Sequence, residues 1–391
     1  MVVELGLEVR HVRPIRQFVL KIHGRCDLAC DYCYVYTLAD QRWRSRPRAM
    51  SRATMRDTAA RIAEHATTHG LRKVDVVLHG GEPLLAGKDD VEYCVTTLRA
   101  AIGDDVETAI ALQTNGVRLD AEFLRLFARH GVRVGVSLDG DTAAHDRHRR
   151  HANGTGSHSQ VTEAVRRLAG QPHRPLFGGL LCTIDLGNDP VRTYENLVAF
   201  DPPAVDFLLP HGNWSAPPPG RVPGSPATPY ADWLIAVFDR WYHAPEQETR
   251  VRLFAEIINL LLGGTSRVEG LGTAPSTVAV VETDGAIEGS DMLASAYEGA
   301  GATGLRVDRH SFDEALRAPV FVDAQAGAAG LAPACEPCAV RTVCGGGLQA
   351  HRYRSGTGFR NPSVYCPDLY RLIGHIRATL SGDLANLRRA T

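Results

Sequence analysis

Along residues 15–209 the chain repeats one alternation six times. A short run of Val, Ile and Leu is followed by a longer stretch whose apolar side chains recur every three or four positions. The runs fall at 15–22, 74–78, 108–112, 132–138, 176–184 and 205–209. They are apolar at nearly consecutive positions and short, the pattern of parallel strands buried on both faces. The stretches between them read as helices. Residues 51–69 place Met55, Ile62 and Ala66 at helical spacing, and 120–130 opens on a capping Asp120 and ends before Gly131. Six strand–helix units in series predict an α/β fold with a parallel sheet and right-handed crossovers. Six fall short of the eight units of a closed barrel. An open partial (β/α)6 barrel is therefore expected, with its site at the carboxyl ends of the strands.

Residues 210–229 break the alternation with Pro and Gly and read as a long surface loop. Two helical periods follow, over about 230–242 and 251–262. From Gly263 the pattern dissolves into Gly-rich turns and short strands. The expected organisation is a barrel over 1–209, a loop with bridging helices over 210–262, and a separate module over 263–391 that ends in a helix.

Composition removes several function classes. With 43 basic and 44 acidic residues the net charge is −1, so no bulk charge attracts nucleic acid or a membrane surface. Charged residues interrupt the first 20 positions, no apolar run reaches membrane-spanning length, and a cytoplasmic location is expected. Nine cysteines, odd in number and tightly clustered, point to metal ligation rather than disulfides.

The cysteines carry the chemistry. Cys26, Cys30 and Cys33 form a C-x3-C-x2-C triplet just after the first strand, on the functional rim. Three thiolates can hold three irons of a [4Fe–4S] cube, whereas an electron-wire cluster takes four. The fourth iron is then open to a small molecule. Cys335-x2-Cys338-x5-Cys344 and Cys366 make a second, complete set of four, for which iron–sulfur and zinc compete. Cys94 and Cys182, in apolar surroundings, read as core residues. Gly80-Gly81-Glu82-Pro83 follows the second strand, where two glycines allow close backbone approach and Glu82 supplies an acceptor for an ammonium group. Thr114-Asn115 and Ser137-Leu138-Asp139 end the third and fourth strands; ordinary turn chemistry competes there with hydroxyl binding.

The triplet, with an aromatic residue before its last Cys and Gly-Gly-Glu-Pro one unit later, resembles the radical S-adenosylmethionine (SAM) superfamily. The resemblance implies SAM bound to the open iron and a 5′-deoxyadenosyl radical. Gly80, Gly81 and Glu82 would hold its amino group, Arg149 its carboxylate, Thr114, Asn115, Ser137 and Asp139 its ribose, and Tyr32 its adenine. The C-terminal set resembles the SPASM module of peptide-modifying radical SAM enzymes, which usually carries two auxiliary clusters. The fuller pattern has cysteines where this chain has Ser290 and Leu348, so the first auxiliary cluster is expected to be lost. That leaves two [4Fe–4S] clusters. An Asp at the position of Asp291 is, by the same resemblance, the proton acceptor.

Further strings narrow the resemblance. Phe18 to His23, Asp31 to Tyr36, Leu78 to Leu85, Val205 to His211 and Cys344 to Arg354 are similar to the FxsB family of cyclophane-forming maturases. The implied reaction joins an aromatic ring to a side-chain β-carbon of a precursor peptide, with a flavodoxin or ferredoxin-type protein as electron donor. A sulfatase-maturase-like Ser/Cys dehydrogenase is the alternative enzyme, and a non-catalytic iron–sulfur or zinc module the alternative outside catalysis. The retained Gly-Gly-Glu-Pro loop and open three-Cys site argue against the latter.

Overall fold

A computed structural model describes residues 12–266 and 268–390. Its centre is one ten-stranded sheet. Six parallel strands, β1 (Gln17–His23), β2 (Lys73–Gly80), β3 (Glu107–Thr114), β4 (Arg133–Ser137), β5 (Phe177–Thr183) and β6 (Ala204–Leu208), lie side by side in chain order. They coincide with the six apolar runs. Helices α1 (Arg52–Thr68), α2 (Lys88–Ile102) and α3 (Ala121–His130) fill the first crossovers. As expected, Asp120 caps α3 by accepting from Glu122 and Phe123, and Gly131 closes it in the left-handed region. Met55, Ile62 and Ala66 of α1 are all buried against the sheet. The core is continuous across both faces, with Phe18, Leu20, Val76, Val134 and Val205 fully covered.

Two features depart from the sequence expectation. The strands after residue 263 do not form a sheet of their own. β8 (Val278–Val281) pairs in parallel with β1, and β9 (Ala286–Glu288) and β10 (Ala302–Arg306) extend the same sheet antiparallel, while the two-residue β7 (Arg250–Val251) closes the other edge beside β6. Gln17 to Leu20 thus hydrogen-bond on both sides, which locks the two parts together. The Pro/Gly-rich stretch 210–229 is a loop, but not all of it lies at the surface. Arg221 forms a fully buried ion pair with Asp368 of the C-terminal helix Cys366–Ala390 (3.3 Å). Asp368 Oδ1 in turn accepts from the Tyr230 and Ala231 amides at the start of the helix Pro229–Tyr242. Composition signals the absence of regular structure; it does not signal a charge pair closed from a distant helix. Among the described residues no helix is long and apolar enough to cross a membrane.

Candidate active site

The cysteine loop leaves the carboxyl end of β1. Leu28 N–H (3.4 Å) and Asn115 Nδ2 (3.5 Å) donate to Cys26 Sγ, and Cys33 N–H donates to the Cys30 carbonyl (3.2 Å). All three thiols are half-buried and unpaired. Burial pushes Cys26 up to about 12 and Cys30 up to about 11, the latter against the opposing pull of Arg149. Such thiols lose their protons to a metal, not to water. Donors on sulfur, a cation beside Cys30 and three thiols in one short loop fit a three-cysteine cluster.

Tyr32, Asp139 and Arg149 converge beside that loop. The Tyr32 hydroxyl donates to Asp139 Oδ2 and accepts from Arg149 Nη1 (2.8 Å), and Asp139 Oδ1 accepts from Thr183 N–H (2.9 Å). Arg149 and Asp139 are buried, and Arg149 Nε is a buried donor with no partner among the described residues. A cation with a spare donor beside Cys30 suits an anionic ligand there.

Gly80 and Gly81 sit where a side chain cannot. Gly80 has a φ of +146°, and a Cβ there would lie 2.1 Å from the His23 carbonyl oxygen; on Gly81 it would lie 1.7 Å from the Tyr36 hydroxyl. Gly81 and Glu82 amides donate to the His23 and Arg25 carbonyls (both 2.9 Å), clipping this turn to the cysteine loop. The Glu82 carboxyl is fully buried. Oε1 accepts from Leu84 N–H (3.0 Å) and the Thr114 hydroxyl (2.8 Å), and Oε2 from Asn115 N–H (2.7 Å). Burial raises it to about 7 against the pull of these donors. Thr114 is thus tied to Glu82, Asn115 to Cys26 and Asp27, and Ser137 accepts from Gln113 (3.0 Å).

Asp291 lies across the rim, just after β9. Its Oδ2 meets the Lys21 ammonium (3.1 Å), the Tyr34 hydroxyl (2.5 Å) and, further off, His79 Nδ1 (4.0 Å). Burial opposes its charge, but Lys21, His79 and Tyr34 hold the carboxyl well below the usual carboxylate range. His79 and His211 are held neutral by burial, at about 4. Lys21, Tyr34, His79 and His211 were missed by sequence reasoning. The available signals were Lys21 within an apolar strand and His79 immediately before the double glycine. His79 and Lys21 are register partners in β1 and β2, so the sheet sets them side by side.

Cys335, Cys338, Cys344 and Cys366 line one small cavity with Gly346, Pro362 and Ser363. Four thiols around a common space fit a four-cysteine cluster or zinc. The neighbouring cleft contains both Ser290 and Leu348, with Ser266, Glu269 and Ser276. Ser290 and Ser276 donate to Glu269 (3.1 and 3.3 Å). No cysteine lines that cleft among the described residues, so its donors do not fit a further iron–sulfur cluster. His65, His69 and Asp313 also bring three donor atoms together. There Ile15 N–H donates to His65 Nε2 (3.0 Å), so the proton of the neutral ring sits on Nδ1, facing Asp313 at 2.9 Å, and no lone pair remains for a metal.

Residues 20–181 match the Radical SAM superfamily. The serine-type anaerobic sulfatase-maturating enzyme of Klebsiella aerogenes is 26% identical over 403 aligned positions, covering 99% of this chain and 92% of that enzyme. The cysteine-type enzyme of Clostridium perfringens (strain 13 / Type A) is 23% identical, over 71% of this chain and 75% of its own length. Among solved structures, anSMEcpe with bound AdoMet and Cp18Cys peptide superposes with a TM-score of 0.80 at 20% identity, covering 95% of this chain and 99% of that one. Streptococcus suis SuiB bound to precursor peptide SuiA superposes at 0.57 with 12% identity, over 90% and 76%. The parallel strands, the rim that carries the three-cysteine loop and the matched stretch give this chain the radical SAM fold, extended by a C-terminal region that bears a second group of cysteines.

Proposed function

We propose that this protein is a radical SAM maturase that oxidises a side chain of a peptide or protein. The observation that carries the reading is the extent of the likeness. The Klebsiella sulfatase-maturating enzyme aligns with 99% of the chain, past the barrel and through the C-terminal cysteines. The favoured chemistry is dehydrogenation of a Ser or Cys side chain.

Cys26, Cys30 and Cys33 are the donor set for a [4Fe–4S] cluster. Arg149, oriented by Tyr32 and Asp139, faces the SAM carboxylate, and the rim residues Gly80, Gly81, Glu82, Thr114, Asn115 and Ser137 frame the rest of that ligand. When bound, the cluster and SAM supply a 5′-deoxyadenosyl radical that takes a hydrogen atom from the substrate. Oxidation then requires loss of one proton and one electron. Asp291 is placed to take the proton. Its contacts with Lys21, Tyr34 and His79 all fall on Oδ2, leaving Oδ1 for the substrate. So weak a base suits a hydroxyl or ring proton that becomes acidic only once a hydrogen atom has gone. Cys335, Cys338, Cys344 and Cys366 would hold a second cluster, an oxidant of the right class for the electron.

Aryl-to-Cβ crosslinking is the second reading, and one contact favours it. His211 and His351 belong to two of the strings that resemble the FxsB family, and their rings lie 5.6 Å apart, with Tyr34 4.7 Å from His211. Both chemistries remove two hydrogens, so mass alone does not separate them. The test is anaerobic turnover with SAM and a reductant on serine-, cysteine- and aromatic-containing peptides, followed by a hydrazide trap. Trapped aldehyde supports the dehydrogenase. Loss of two hydrogens with no trapped product and a ring-closed fragmentation pattern supports the crosslink. Formation of 5′-deoxyadenosine with no change in any peptide argues against both.

A further inference from the structure

Arg352 is a buried cation held without a carboxylate. Its Nε donates to the Gly346 carbonyl (3.1 Å), and its Nη2 to the carbonyls of Gly345 (2.8 Å) and Gly347 (2.7 Å). Burial works against its charge, and the anionic groups that act on it are the thiols of Cys344 and Cys335. A guanidinium stays protonated in proteins, so the charge is present and needs a counter-charge.

The turn that wraps it is built for that purpose. Cys344 ends the short helix Arg341–Cys344, and the next three residues are glycines with φ of +57°, +79° and +70°. Three left-handed residues in a row are open to glycine and costly for any other residue. A Cβ on Gly345 would lie 1.6 Å from the Gly272 carbonyl oxygen, and one on Gly346 would meet the Arg352 guanidinium carbon at 3.1 Å. The backbone thus turns three successive carbonyls onto one planar donor fork, directly after a cysteine of the four-thiol cavity. A lysine could supply the charge but not that fork.

We propose that Arg352 is a positioning residue of the C-terminal cysteine centre: it locks the turn that aims Cys344 and places a positive charge that raises the reduction potential of the cluster held there. The proposal rests on the iron–sulfur reading of Cys335, Cys338, Cys344 and Cys366. A cube with four thiolates is a dianion when oxidised and a trianion when reduced. A nearby cation stabilises the trianion more, which makes the centre a better electron acceptor. Oxidative chemistry on a substrate calls for that bias.

The test uses the full chain carrying C26A/C30A/C33A, so that only the C-terminal centre can load. Metal analysis comes first: zinc in place of iron sinks the cluster reading itself and the proposal with it. With iron bound, an EPR-monitored redox titration compares Arg352 with R352Q and R352K. The expected result is a more negative midpoint in R352Q, with the reduced-to-oxidised ratio at the parent midpoint falling about tenfold or more, and a smaller shift in R352K. R352Q with the parent's iron content and midpoint overturns the proposal. Should R352Q fail to load, R352K decides: iron restored near the parent midpoint supports the charge, and an R352K that also stays empty overturns it. None of these readouts depends on which substrate the enzyme takes.

Discussion

Removing the Glu82 carboxyl should cost folding stability before it costs ligand affinity. The side chain is fully buried and accepts from two backbone amides, Leu84 and Asn115, and from the Thr114 hydroxyl. Its own amide is tied to Arg25, so one residue staples the end of β2 to the end of β3 and to the cysteine loop. Each buried donor left without an acceptor costs about 1–3 kcal/mol. The Thr114 hydroxyl can rotate to another acceptor; the two amides cannot. Glu82→Ala should therefore lose roughly 2–6 kcal/mol, a large part of the ~5–15 kcal/mol typical of a domain. Glu82→Gln keeps the volume but turns one acceptor into a donor, leaving one amide orphaned at about 1–3 kcal/mol. The assay is anaerobic urea unfolding in the C26A/C30A/C33A background without SAM, where neither cluster nor ligand binding at that loop contributes. The expected order of stability is parent, then Gln, then Ala, with unchanged m-values. An Ala variant within about 0.5 kcal/mol of the parent, but with weakened SAM binding in the otherwise intact protein, would refute the staple and return Glu82 to the role of an ammonium acceptor.

Three further outcomes can be checked. Anaerobically reconstituted protein should bind about eight irons and the C26A/C30A/C33A variant about four, with no SAM cleavage in the latter; about twelve irons would contradict the cleft lined by Ser290 and Leu348. Asp291→Asn should retain iron and 5′-deoxyadenosine formation while oxidised peptide falls by about 10²-fold or more; near-normal product, measured by mass spectrometry, would move the search to another base. Burial raises Glu269 to about 7 from an ordinary 4.5. A carboxyl raised by folding contributes most below its unfolded value, and that contribution is lost as pH rises through the folded one. Glu269→Gln should thus gain on the parent by up to roughly 1–3 kcal/mol between pH 5 and 8 in urea melts, and a gap equal at both pH values counts against it.

The strands were legible because each is a run of apolar residues covered on both faces, so burial alone dictates the pattern. The cysteine groups were legible because ligand spacing is local in sequence. What stayed hidden depends on registration between distant segments. Nothing near Val278 to Val281 announces that this strand will pair with β1, since any short apolar run could take an edge. Lys21 looks like an interruption of β1 until Asp291 arrives from the far side of the chain. Arg352 reads as one of several basic residues until the three glycine carbonyls before it are seen to close on its guanidinium. Tyr32, Asp139 and Arg149 were each nominated singly, as contacts to different parts of one ligand; the structure makes them a single hydrogen-bonded unit beside Cys30.

Ser290 and Asp291 are adjacent, yet they serve different compartments. Ser290 donates into the cleft, to Glu269, while Asp291 is held on the rim by Lys21 and Tyr34. A thiolate at position 290, carrying a cluster, would add negative charge within one residue of Asp291 and raise its proton affinity. With serine there, the cleft holds one carboxyl that burial keeps close to neutral, and the Lys21 ammonium acts on Asp291 with little opposition. Loss of thiolates from the cleft and the low proton affinity of the rim carboxylate are therefore linked physically. The same loss leaves the four cysteines at 335, 338, 344 and 366 as the one complete thiolate set among the described residues for an electron acceptor. Any cluster there must take the substrate's electron alone, which is why a cation fixed beside Cys344 matters to the chemistry as well as to the fold.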